Sequence, residues 1–238
     1  MKIADQPVRK TLQDQGHSFE EVLSMAAKYD ISAGIEGEFE PGSKGAVLKN
    51  LKGITTKAAV DELEILSLVE AQEHYLDRID TETEFTAGLI CQMHYDWLGE
   101  IYPWAGQYRT VDMSKDGFTW PPAHRVSENM AQFEATHLRA NTPFRCENRE
   151  EATLRLAAVH AELLLIHPFR EGNGRIARWL SDLMCLQADL PQSDYGFTGK
   201  NSKQNRESYL QAVILGYECD YRALATFFRE ALERATTG

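Results

Sequence analysis

The 238-residue chain has no apolar run approaching the roughly 18 residues needed to cross a bilayer, and residues 1–10 lack the apolar stretch of a signal peptide. Membrane association is thereby disfavoured, and a cytoplasmic address is the default expectation. Cysteine is sparse: Cys91, Cys146, Cys185 and Cys219 lie far apart, with neither a paired CxxC nor the spacing of a metal knuckle, so they read as reduced thiols. Basic charge is short as well. Lys and Arg number 25 against 36 Asp and Glu, a formal charge of −11, and the acidic residues are spread rather than blocked, which argues against a nucleic-acid partner. No internal repeat or low-complexity tract is present. Gly196 to Lys200 lacks the spacing and the hydroxyl residue of a phosphate-binding Walker loop, which disfavours that class of ATPase.

What is there is enough for one sizeable core: 43% of residues are hydrophobic. Residues 1–17 are polar and aperiodic, whereas Ser18-Phe19-Glu20-Glu21 has capping-box spacing ahead of Val22, Leu23, Met25 and Ala26 and predicts a short helix. A further turn or two of helix around Ile31 to Glu36 would end at Gly37, and the Pro- and Gly-bearing stretch Glu38 to Gly53 reads as a linker. Residues 1–53 are thus an N-terminal extension, and 54–238 the main domain. Helical spacing predicts helices over 56–79, 81–102, 125–140, 149–166, 174–189, 202–216 and 221–234. Tyr108 to Val111 and Phe118 to Trp120, around the turn signal Lys115-Asp116-Gly117, predict a small β-hairpin. The fold class expected is all-α with one hairpin. Arg149 to Ile166 is apolar on nearly every face and should be the central buried helix, stopped by Pro168.

The chemistry concentrates directly after that helix. His167-Pro168-Phe169-Arg170-Glu171-Gly172-Asn173-Gly174-Arg175-Ile176-Ala177-Arg178 packs a base, an acid, a glycine-rich turn and two helical arginines into twelve residues. Gly172 and Gly174 let backbone N–H groups converge on an anion, and the following helix adds the positive end of its dipole. Arg175 and Arg178, three apart, share a helical face from which to grip a polyphosphate. Glu171 is placed to hold Mg²⁺ bridging phosphate oxygens, and His167 can take a proton from an incoming hydroxyl. His94, His124, His137 and His160 show no ligand spacing and are assigned no role. Trp97, Trp104 and Trp179 read as core, whereas Trp120 either packs or faces a partner.

The segment from His167 to Arg178 resembles the signature of the Fic (filamentation induced by cyclic AMP) family, and Tyr102 to Thr110 is similar to the approach to that family's flap. The resemblance runs over roughly Thr56 to Leu232. It implies a helical Fic core with a hairpin flap, about Val111 to Pro122 and including Phe118, Thr119 and Trp120, that aligns a target segment. It implies a protein adenylyltransferase: with ATP as co-substrate and Mg²⁺ as cofactor, His167 activates a Tyr, Thr or Ser hydroxyl of a target protein. Asn173 would contact the α-phosphate, Gly172 and Gly174 would shape the nest, and Arg175 and Arg178 would hold the outer phosphates. Glu171 would bind the metal, Phe169 would anchor the loop, and Tyr209 is similar to a position near the base.

Ser32-Ala33-Gly34-Ile35-Glu36-Gly37 resembles the family's inhibitory motif, with Ser32, Glu36 and Gly37 at its defining positions. On that resemblance Glu36 pairs with Arg178 and restrains the enzyme, and the motif's place ahead of the core implies the class with an N-terminal inhibitory helix. Two alternatives stay open: removal of AMP from modified protein, or a non-catalytic ATP-sensing module. The intact stretch Gly172 to Arg175 favours AMP over phosphate transfer, and family analogy allows a homodimer.

Overall fold

The longest buried element organises the structure, a computed structural model that describes residues 30–31, 35–115 and 117–237. Among them are seven helices: α1 (Lys57–Arg78), α2 (Ala87–Leu98), α3 (Val126–Phe133), α4 (Arg149–Ile166), α5 (Asn173–Gln187), α6 (Ser202–Gly216) and α7 (Arg222–Thr237). A π-helical turn, Glu134–Leu138, and a short turn, Arg139–Asn141, extend α3. Helix α4 starts where Asn148 accepts the Glu151 N–H at 2.9 Å, with Glu150 and Glu151 complementing the positive end of the dipole. Its Leu156, Val159, Leu163 and Ile166 are fully buried, each such side chain contributing about 1.5–3 kcal/mol relative to exposure. Helices α3, α5, α6 and α7 pack around α4, while α1 packs on α2 and α2 on α5.

Beside this bundle lies a three-stranded antiparallel sheet, β1 (Asp30–Ile31), β2 (Met113–Lys115) and β3 (Phe118–Thr119) in that order. Ser114 pairs with Thr119 and Lys115 with Phe118 in the expected hairpin, and Asp30 and Ile31 add against Ser114 and Met113. Val111, Met113 and Trp120, with Phe118 against them, give the hairpin its own small apolar cluster.

Several expectations shift. The predicted helix beginning near Ser18 lies outside the described residues, as does Ser32. Asp30–Ile31 is a strand and Ile35–Gly37 a single 3-10 turn, so the expected helix around 31–36 is not formed as such. The stretch 38–53 is no free linker. Glu40 donates to Val47, Lys49 to Glu38, and Leu51 to Ile101, folding the segment back so that Val47 enters the main core. Tyr108 to Val111 is irregular instead of strand, because its backbone bonds to the loop after α4, Arg109 N–H donating to Pro168 at 2.8 Å. Helix α2 starts at Ala87, not near 81, because Thr86 caps it by accepting from Leu89, and Asp80 to Thr83 closes a turn on its own side chains.

Candidate active site

Helix α4 ends by handing the chain to His167 in the left-handed conformation, φ 52° and ψ 60°. A non-glycine residue there is strained by about 1–3 kcal/mol, and such strain persists only where surrounding contacts over-determine it. They do. His167 N–H donates to Leu163 at 3.0 Å, its carbonyl accepts from Arg109 Nε at 2.8 Å, and Nδ1 lies 3.3 Å from the Leu164 carbonyl. That carbonyl belongs to the last turn of α4, whose C=O groups lack intrahelical partners. It also accepts the Trp120 indole N–H at 3.1 Å. Because a carbonyl can only accept, Nδ1 carries the proton, which leaves Nε2 with the lone pair of a base. Burial, then the nearby Arg109 charge, pushes the His167 pKa down to about 3, so the ring is neutral at physiological pH. Trp120 lies over it with ring centroids 4.1 Å apart.

The rest of the loop is held from both sides. Phe169 is fully buried and stacks on His94 at 3.9 Å with rings 8° from parallel. His94 Nδ1 accepts the Gly106 N–H at 2.8 Å, so its Nε2–H donates to the Glu171 carbonyl at 3.1 Å. Burial lowers the His94 pKa to about 4, which preserves that neutral tautomer. Asn173 spends its side chain on Phe169: Oδ1 accepts from the backbone N–H at 2.9 Å and Nδ2 donates to the carbonyl at 2.7 Å. The Asn173 side chain thereby staples the loop at Phe169. Gly172 has φ 83°, and a Cβ there would stand 2.7 Å from Trp97, so no other residue fits. Its N–H donates to the Glu171 carboxylate at 3.0 Å, a negative group sitting at the mouth of the nest.

The two arginines on α5 have opposite surroundings. Arg175 stacks on Trp97 at 4.5 Å, with Nη1 2.7 Å from Glu64 and Nη2 3.8 Å from Glu171. Arg178 lies over Tyr195, Phe197 and Tyr209 at 5.9, 5.4 and 6.0 Å, and no ion pair joins it to a carboxylate among the described residues. The expected pair of Glu36 with Arg178 is not formed. The Glu36 carboxylate instead accepts from the Thr110 N–H at 3.1 Å and hydroxyl at 2.9 Å, and its carbonyl accepts from Arg170 Nε at 2.9 Å. The physical reason is that Ile35–Gly37 follows the sheet, at the foot of the hairpin, and Thr110 is the donor that end offers. Gly37 closes that turn. Tyr209 is 5% exposed, and its hydroxyl is 2.7 Å from His160 Nε2. Trp120 is 8% exposed and packs on His167, whereas Thr119 is exposed on the hairpin.

Sequence reasoning passed over Arg109, His94 and His160. Arg109 is 2% exposed and bridges the base of the hairpin to the loop, donating to the carbonyls of His167, Val111 and Pro121 at 2.8, 2.8 and 2.5 Å. A lone arginine before a hairpin carries no periodic signal, and a buried one is found only by its acceptors.

Among the described residues no three His, Cys, Asp or Glu side chains gather as a metal cage. Glu171, about a third exposed beside the nest, fits the one or two carboxylates with which a nucleotide-bound Mg²⁺ is held.

A model of the Fic/DOC family matches residues 84–185. The chain is 27% identical over 206 residues to "Protein adenylyltransferase Fic" of Culex quinquefasciatus, covering 85% of this chain and 39% of that protein. It is 29% identical over 145 residues to "Protein adenylyltransferase VbhT" of Bartonella schoenbuchensis, covering 60% of this chain and 30% of that one. The chain therefore spans well under half the length of these relatives. Among solved structures, the N-terminal FIC domain of Bep8 from Bartonella sp. 1-1C superposes with a TM-score of 0.65 at 17% identity, over 81% of this chain and 94% of that one. BepC from Bartonella tribocorum, solved with bound AMPPNP, gives 0.61 at 20% identity over 77% and 91%.

Proposed function

We propose that this chain, a member of the Fic/DOC family through residues 84–185, transfers AMP from ATP to a hydroxyl side chain of another protein. The observation that carries the proposal is a neutral histidine, proton fixed on Nδ1, beside a glycine nest that opens a helix bearing two arginines. The names of the curated relatives and the AMPPNP bound by BepC support the same reading.

The target hydroxyl gives its proton to His167 Nε2 while its oxygen bonds to the α-phosphorus, and the bond to the β-phosphate bridging oxygen breaks to release pyrophosphate. Nδ1–H on the Leu164 carbonyl keeps Nε2 aimed and stabilises the imidazolium as it forms. The backbone N–H groups at the start of α5 meet the negative phosphate oxygens in a site where they need no reorganisation. Glu171 would swing from the Gly172 N–H to hold Mg²⁺, which supplies charge neutralisation to the phosphates. Arg175 and Arg178 hold the outer phosphates. The exposed edge of the hairpin at Thr119 is where a target segment would lie.

Glu36 as a restraint belongs to the proposal, through a contact other than the one its motif implied. Its carboxylate ties Thr110 at the root of the hairpin, and its carbonyl ties Arg170 in the loop, so one residue bridges the two parts that must receive the target. The test is a labelling assay with ATP carrying the label on the α- or the γ-phosphate, with a host lysate as the source of targets. Label from the α-position and none from the γ-position, rising in Glu36→Gly, is expected. Label from the γ-position would make it a kinase. No label from either, with loss of label from pre-modified protein, would make AMP removal the activity.

A further inference from the structure

We propose that Glu64, on α1 and outside the family-matched residues, is a positioning residue that sets Arg175 for the polyphosphate. The inference rests on the reading above in which Arg175 meets phosphate oxygens. Glu64 is 4% exposed and every polar atom facing the site is engaged. Oε1 accepts the Tyr102 hydroxyl at 2.7 Å, Oε2 lies 2.7 Å from Arg175 Nη1, and the main-chain carbonyl accepts the Trp97 indole N–H at 2.8 Å. Tyr102 is itself stacked on Trp104 at 4.5 Å. The carboxylate is therefore a fixed point, not a mobile surface charge.

Arg175 lies over the Trp97 ring, so stacking holds its plane but leaves rotation within that plane free. The one bond from Nη1 to Glu64 removes that rotation. It uses a single donor of the five a guanidinium carries, and the side chain keeps 28% of its surface open for phosphate. The same Trp97 packs under Gly172, so α1, α2, the nest and the arginine are registered by one indole. A cavity of about 180 Å³, lined by Lys57, Val60, Glu64, Arg170, Glu171 and Arg175, opens beside the pair. An unpinned guanidinium has that space to turn into, away from the nest, and a positioned one does not.

The experiment measures ATP affinity calorimetrically with Mg²⁺ for wild type, Glu64→Gln, Glu64→Ala, Arg175→Ala and the Glu64→Ala/Arg175→Ala double variant. It adds KM for ATP and kcat. Glu64→Ala is expected to weaken ATP about tenfold and to raise KM more than it lowers kcat, while Glu64→Gln, which keeps the oxygen acceptor, stays within about threefold of wild type. The double variant is expected to bind no more weakly than Arg175→Ala alone, because the two residues act as one. If Glu64→Ala does not fold, Tyr102→Phe carries the test, with binding expected about two- to threefold weaker. Unchanged or tighter ATP binding in a folded Glu64→Ala, or losses that simply add in the double variant, overturns the proposal, tighter binding meaning that the carboxylate competes with phosphate. A failed transferase reading would show as no label moved by any variant while the ATP affinities still separated. An Arg175→Ala that binds ATP as wild type does overturns both.

Discussion

Arg175 and Arg178 stand one turn apart on the same helix, yet one is braced by charge and the other caged by rings. Arg175 faces α1 and α2, where Glu64 and Glu171 already offset part of its charge. Arg178 faces the 195–197 segment and α6, where Tyr195, Phe197 and Tyr209 surround it with π-faces and Asp182 stays one layer back, hydrogen-bonded to Ser193 and Tyr195. Rings orient a guanidinium without neutralising it. The difference teaches that two identical side chains in one motif can be held in opposite ways: Arg175 by paired carboxylates, Arg178 by aromatic faces.

The largest effect expected from that contrast is on ATP use. Arg178→Ala lowers kcat/KM for ATP about 100-fold and Arg175→Ala about tenfold, the span expected for charged hydrogen bonds of different completeness. Steady-state kinetics checks the order, and equal losses would erase the distinction. The glycines beside the two arginines sharpen it. Gly172→Ala places a methyl 2.7 Å from the Trp97 ring at a positive φ and is expected to cost about 2–4 kcal/mol in chemical denaturation. Gly174→Ala meets only the Arg178 guanidinium at 3.4 Å, the end of a flexible chain, and is expected within about 1 kcal/mol of wild type. Tyr209→Phe is smaller still than Gly172→Ala: it removes the bond to His160 under the cage, for about 1–2 kcal/mol, without touching the brace.

Acid separates the two sides as well. His94 near the brace, and His160 and His167 near the cage and the loop, have folded pKa values lowered by burial from 6.5 to about 4, 3 and 3. Between those values and 6.5 the unfolded chain binds more protons, so stability falls as pH drops, by up to about 1.4 kcal/mol per pH unit for each histidine. Asp182 works the other way: burial raises it to about 7, and the stability it carries is present below 3.8 and lost as pH rises toward 7. Three histidines against one carboxyl leave net destabilisation by acid between pH 6.5 and 4, which a melting series across that range checks. Asp182→Asn should steepen the loss, because it removes the opposing group.

Much of this molecule can be read from its residues. Helix α4 was legible because its residues are apolar on nearly every face and Pro168 stops it, and α6 because its apolar spacing is helical. The loop from His167 to Arg178 was legible because its chemistry is contiguous. What escaped depends on pairs far apart in the chain: Glu64 with Arg175, Arg109 with the carbonyls of His167 and Pro121, and His94 with Gly106 and Glu171. Each is one polar residue in an otherwise ordinary helix or turn, and only folding brings its acceptor to it. Glu36 erred in the same way. The resemblance implied a pair with Arg178, but the partner is set by where the sheet leaves the chain, at Thr110.

The account turns on His167 as the base that drives transfer of AMP. Wild type and His167→Ala, incubated with Mg²⁺, ATP labelled on the α-phosphate and a host lysate, test it directly when ATP affinity is measured in the same preparations. The account predicts labelled protein with wild type, none with His167→Ala, and ATP affinities within about threefold of each other, since the ring acts on the hydroxyl and not on the phosphates. Labelling that survives in His167→Ala would contradict it.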